Sequence, residues 1–204
     1  YLNFYKMKHT IKIPLLLASI LFSTLSSWSY SEESFIPKPP SLNASNYILI
    51  DSVSGRVLAE KEADVRIEPA SITKIMTGYV AADQISKGFI SLDDEVLISE
   101  NCWRKGGSKM FIREGTRVLL SDLMKGMVIQ SGNDASCAIA EHVAISEEGF
   151  VELMQLYIKE LGMENTQFIN VSGWPDPEHF SSARDLALLT KNLIDRFPDH
   201  YALY

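Results

Sequence analysis

The sequence predicts an α/β protein of the α+β kind, with amphipathic helices packed on an antiparallel sheet. Three observations predict it. A β-branched and aromatic run at Tyr47–Asp51 is followed, across the turn Ser52–Gly55, by a second short run at Arg56–Glu60, which reads as a hairpin. Apolar residues then recur at helical spacing in four later stretches, at Ile72–Val80, Leu123–Val128, Phe150–Leu161 and Leu186–Phe197. The 204 residues are 46% hydrophobic and 22% charged, a balance that supports one buried core and excludes disorder, collagen and coiled coil.

The first element is an address rather than a fold. Met7–Lys12 is short and basic, Ile13–Leu25 is apolar, and Ser26, Ser27, Ser29 and Ser31 follow. That order reads as a secretory signal peptide, too short and too interrupted by Ser23 to span a bilayer. Met7 is the expected true start, residues 1–31 the expected upstream and cleaved segment, and 32–45 a linker stiffened by Pro37, Pro39 and Pro40. Residues 46–204 form the expected folded part.

Pro69 suits the first turn of a helix because its missing N–H is unpaired there anyway, and Gly88 stops the pattern. A second helix is predicted from Ser121, breaking at Ser131-Gly132-Asn133 and resuming over Asp134–Ala144. Ser146 caps the third and Gly162 ends it. Ser182 with Asp185 resembles a capping box for the last. Glu95–Ser99 and Thr166–Asn170 are further strand candidates, which leaves little sheet for so many helices, since two strands alone are marginal. More strands are expected beyond Tyr204, with the chain read as truncated before them.

Net charge is −7 at neutral pH, with no basic footprint, so nucleic acid is not an expected partner. Cys102 and Cys137 have neither metal-ligand nor C-x-x-C spacing and are expected to be unpaired packing residues. No metal or other cofactor is expected, for want of His-Glu-x-x-His or any paired ligand spacing. With no Gly-x-Ser-x-Gly present, His142 and His179 read as an exposed helix residue and a loop residue, not as a catalytic base.

The chemistry lies elsewhere. Ser71 and Lys74 stand three apart in a helix, on one face. A serine hydroxyl is a weak nucleophile until a neighbour takes its proton, and a lysine does so once burial and nearby positive potential depress its pKa. A helix N-terminus supplies part of that potential and turns the Ser71 N–H toward a developing oxyanion. The pattern alone is cheap, arising about once by chance in a chain this long. Sixty residues on, Ser131 offers a second hydroxyl to relay a proton. Asn133 offers a carboxamide to hold a substrate carbonyl and keep Lys74 hydrogen-bonded.

In this order, Pro69-Ala70-Ser71-Ile72-Thr73-Lys74-Ile75-Met76-Thr77 and Gln130-Ser131-Gly132-Asn133-Asp134-Ala135 resemble two active-site motifs of the low-molecular-mass penicillin-binding proteins, specifically the serine-type D-alanyl-D-alanine carboxypeptidases. The likeness continues through Ile50–Glu60, Gly106–Phe111 and Gly173–Asp185, with Trp174 and Glu178 in place of the family's usual Leu and Gly. It implies a β-lactamase/transpeptidase-like fold with Ser71 as acyl-ester nucleophile, Lys74 as proton acceptor, and Ser131 and Asn133 lining the substrate cleft. It implies peptidoglycan stem peptides ending in D-Ala-D-Ala as substrate and β-lactams as inhibitors. It further implies a periplasmic location on the outer face of the cytoplasmic membrane, held there by a C-terminal segment beyond this chain. The family's Lys-Thr-Gly does not occur in these residues and is expected downstream, so the chain as given is expected to be inactive.

Two other readings compete. A class A β-lactamase shares Ser-x-x-Lys but carries Ser-Asp-Asn, where Gly132 stands here, and a Glu-x-x-x-Asn loop for which there is no match. A non-catalytic cell-wall binding fragment would bind the peptide without cleaving it, and labelled penicillin separates it from an enzyme.

Overall fold

A computed structural model describes residues 41–204. The signal-peptide segment and most of the Pro-rich linker lie outside the described residues.

Strands β1 (Tyr47–Ile50) and β2 (Val57–Lys61) pair antiparallel, Tyr47 opposite Lys61, with a register shift at Leu49/Ile50. Asp51 accepts from the N–H and hydroxyl of Ser54, and Gly55 takes a positive φ of 72°, closing the expected turn. A second, smaller antiparallel pair joins β3 (Glu95–Leu97) to β4 (Arg117–Leu119). β4, directly before the helix read from Ser121, was not expected.

The helix expected after Pro69 begins as a 3-10 turn over Ala70–Thr73 and becomes α1 (Lys74–Ser86). A four-residue helix, α2 (Glu100–Trp103), is capped by Ser99, whose hydroxyl accepts from the Cys102 N–H. Then come α3 (Leu120–Ile129), α4 (Asn133–Ala144), α5 (Glu147–Leu161), α6 (Ala183–Arg196) and the short α7 (Pro198–Tyr201). Ser146 and Ser182 cap α5 and α6 as expected, and Gly162 ends α5 in the left-handed conformation. The strand expected over Thr166–Asn170 is instead a loop with a single bridge, Gln167 to Phe180.

Two apolar clusters meet along α1 and α4. Met76, Tyr79 and Val80 pack with Phe150, Met154, Phe168, Leu189 and Leu193 on one side. Ala81 joins Leu120, Leu123, Met124, Ala138 and Ile139 on the other. α1 is therefore apolar nearly all round, as a helix in the middle of a core must be. Its one buried carboxylate, Asp83, is compensated by Lys87 at 2.6 Å, Arg196 at 3.4 Å and the Tyr157 hydroxyl.

Contrary to the expectation of unpaired thiols, Cys102 and Cys137 form a disulfide that ties α2 to α4, with Cα atoms 5.3 Å apart. Spacing could not have revealed this, because the bond depends on two helices meeting. Closing a loop of sequence separation 35 stabilises by about 4 kcal/mol through the unfolded chain's lost entropy. His142 is half-buried rather than exposed, bonding Asp94 at 2.9 Å.

Candidate active site

Ser71 sits in the 3-10 turn, exposed, and Lys74 opens α1, buried. Three residues of separation bring them together as the sequence suggested: Lys74 Nζ donates to Ser71 Oγ at 3.0 Å. Its second partner is the backbone carbonyl of Ser172, at 2.7 Å, from a loop 98 residues away. Burial disfavours the ammonium and lowers its pKa from the usual lysine range to about 8. A neutral amine beside a serine hydroxyl can accept that hydroxyl's proton at mildly alkaline pH.

The loop that supplies Ser172 is bonded to the start of α1 at three points. Besides the lysine, the Thr77 hydroxyl donates to Val171 O at 2.7 Å, and Thr73 Oγ1 meets His179 Nε2 at 2.8 Å. The Ile169 N–H donates to His179 Nδ1, so the ring's proton resides on Nε2 and is donated to Thr73. His179 is thus no ordinary loop residue: it is 2% exposed and stacked on Phe168. Gly173 approaches closer still. A Cβ there would fall 1.7 Å from the Ala70 carbonyl oxygen, and its φ is +81°. Only glycine fits between this loop and the turn that carries Ser71.

Burial pushes the His179 pKa down to about 4, with Asp176 opposing weakly. The unfolded chain holds this proton below its ordinary value near 6.5. Stability should therefore be lost as pH falls from about 6.5 to about 4, by about 3 kcal/mol, with no further loss below. The unfolding free energy of His179→Gln, measured across this range, should approach that of the unmutated protein by that amount. A gap independent of pH would refute the buried neutral ring.

Ser131 and Asn133 lie at the break between α3 and α4. Ser131 has φ +54°, and so, at +46° and +65°, do Ala70 and Phe111 depart from ordinary backbone. Strain of this kind in non-glycine residues persists only where the surroundings enforce it. Asn133 does not hold Lys74, as had been expected. Its Nδ2 donates to Gly106 O at 2.8 Å, and its own N–H to Ser108 O at 2.8 Å. Among the described residues no hydrogen bond joins Ser131 or Asn133 to Ser71 or Lys74.

Asp134, unremarked in the sequence, organises this lip. Fully buried, its carboxylate accepts from the N–H groups of Met110 at 2.8 Å, Phe111 at 2.8 Å and Ile112 at 3.2 Å. It thereby fixes the loop that Asn133 also holds. A cavity of about 410 Å³ opens between the two loops, lined by Lys105, Asn133, Asn170, Ser172, Trp174 and Asp176 among others. Ser172 links this cavity to Lys74. Lys105 pairs with Glu147 along its wall.

The family model for D-alanyl-D-alanine carboxypeptidase, Peptidase_S11, matches residues 33–204. The chain belongs to the D-alanyl-D-alanine carboxypeptidase family. Among relatives, D-alanyl-D-alanine carboxypeptidase DacC of Escherichia coli is 46% identical over 171 residues, 81% of this chain and 43% of that protein. DacA of Haemophilus influenzae is 39% identical over 203 residues, 97% of this chain and 51% of that protein. Among solved structures, the D-alanyl-D-alanine carboxypeptidase DacD of Francisella tularensis aligns with TM-score 0.80 at 40% identity, covering 85% of this chain and 43% of that one. Penicillin binding protein 6B of Escherichia coli also gives 0.80, at 38% identity, covering 84% and 56%. The transpeptidase/β-lactamase-like fold implied by the motifs is thereby shown. The chain spans about half the length of the curated relatives it matches.

Proposed function

We propose that the protein is a serine-type D-alanyl-D-alanine carboxypeptidase that removes the terminal D-alanine of peptidoglycan stem peptides and is acylated by penicillins. The observation that carries this is the buried Lys74 amine, 3.0 Å from an exposed Ser71 hydroxyl, in a chain of the D-alanyl-D-alanine carboxypeptidase family. In the forward step Ser71 Oγ bonds to the penultimate residue's carbonyl carbon and its proton passes to Lys74. The peptide C–N bond then breaks, the leaving D-alanine amine takes a proton relayed through the Ser131 hydroxyl, and an ester remains on Ser71. Water hydrolyses that ester, releasing the shortened peptide and restoring the serine. Asn133 lines the cavity wall, which supports a role in receiving substrate amide groups.

Export fits this reading: the substrate is outside the cytoplasm, and a Cys102–Cys137 disulfide persists in an oxidising compartment such as the periplasm. Among the described residues no helix is long and apolar enough to cross a membrane. Attachment to the membrane surface is proposed to use a segment beyond these residues.

The test is to incubate the intact protein with a peptide ending in D-Ala-D-Ala and, separately, with labelled penicillin. Free D-alanine and a covalent adduct are both expected. Adduct without D-alanine release would instead favour a binding protein, and rapid turnover of penicillin a β-lactamase.

A further inference from the structure

Lys74 needs more than Ser71 to hold its Nζ in place, and its second partner is a backbone carbonyl on an irregular loop. Such a carbonyl is only as well positioned as the turn that bears it. Here the turn is built around one side chain. Asn170 Oδ1 accepts from the N–H groups of Ser172 at 3.2 Å, Gly173 at 2.8 Å and Trp174 at 3.0 Å. Its Nδ2 donates to Trp174 O at 2.9 Å, so both ends of one carboxamide close the turn. The same turn brings Gly173 against the Ala70 carbonyl, beside the backbone that carries Ser71.

We propose that Asn170 is a positioning residue for the Ser71–Lys74 pair, setting the Ser172 carbonyl that orients the Lys74 amine. The proposal rests on the reading of Lys74 as the proton acceptor. Asn170 touches neither reacting group, and it also lines the cavity, so a substrate bound there meets a fixed wall. Lys74's two hydrogen-bond partners, Ser71 Oγ and Ser172 O, are both neutral. The charged groups lining the cavity beside Ser172 are Arg104, the Lys105–Glu147 pair and Asp176, with His179 neutral behind Thr73 above a pH of about 4.

The test is the pH dependence of penicillin acylation by the intact protein, expressed per folded molecule, for Asn170→Asp and Asn170→Ala. Asp keeps the oxygen that gathers three amides but adds a negative charge to the turn. It should raise the midpoint of the profile by about one pH unit, with the unmutated rate regained above it. Ala frees the Ser172 carbonyl and should lower acylation by about tenfold or more at every pH. Unmutated rates and midpoint in both variants would overturn the proposal. Lys74→Arg separates the two levels of argument. If that variant acylates normally, Lys74 is not the proton acceptor, and the role assigned to Asn170 falls with it. If it does not, the Asn170 results stand on their own.

Discussion

Ser71→Ala should take up no labelled penicillin and release no D-alanine, while folding as well as the unmutated chain. The substitution removes the oxygen on which the ester would form, so no slower route through the same residue remains. Its structural cost is small. The Ser71 side chain is exposed and bonds only the Lys74 amine among the described residues, so the unfolding free energy should stay within about 0.5 kcal/mol of the unmutated value. Covalent labelling followed by mass analysis of peptides decides the matter. Label persisting on this variant, or residing on a peptide without Ser71, would refute the assignment.

Lys74→Arg should acylate about 10²- to 10⁴-fold more slowly, the range that a positioned base contributes. Arginine keeps the charge and some hydrogen bonding but cannot give up its proton, so the variant separates proton transfer from electrostatics. The unmutated protein's profile should agree. With a Lys74 pKa of about 8, the neutral amine predominates above that pH and is protonated below it. Acylation should therefore rise with pH, falling about tenfold for each unit below 8 and levelling above. Stopped-flow acylation from pH 6 to 10 measures this. A flat profile, or an active arginine variant, would mean that Lys74 acts only through its charge.

What could be read from the sequence was whatever depends on near neighbours along the chain. The Ser71–Lys74 bond follows from three residues of helical separation. The ends of α5 and α6 follow from Ser146, Gly162 and Ser182, because each cap bonds within its own turn. The groups that hold the reacting pair were hidden because they are remote in sequence. Lys74 finds Ser172, Thr73 finds His179, and Asp134 collects three amides some two dozen residues back. The stretch Thr166–Asn170 has the composition of a strand, yet Asn170 turns the chain and only Gln167 is bridged. α2 escaped because a helix of four residues spans barely one turn. Asn133 lines the cavity, but its amide bonds the adjoining Gly106 loop rather than the lysine.

The disulfide also changes how the molecule is connected. Joining Cys102 to Cys137 closes residues 102–137 into a covalent ring that contains Phe111 and its loop, all of α3, and Ser131 with Asn133. Ser71, Lys74, Asn170 and Ser172 all lie on the open chain outside it. The cleft is thus assembled between a macrocycle and two linear strings, and its far lip has no free end. A protease that cut once at the exposed Phe111 would leave every residue of the site attached to every other. The nicked protein would part into two pieces only when a thiol reductant opened the ring.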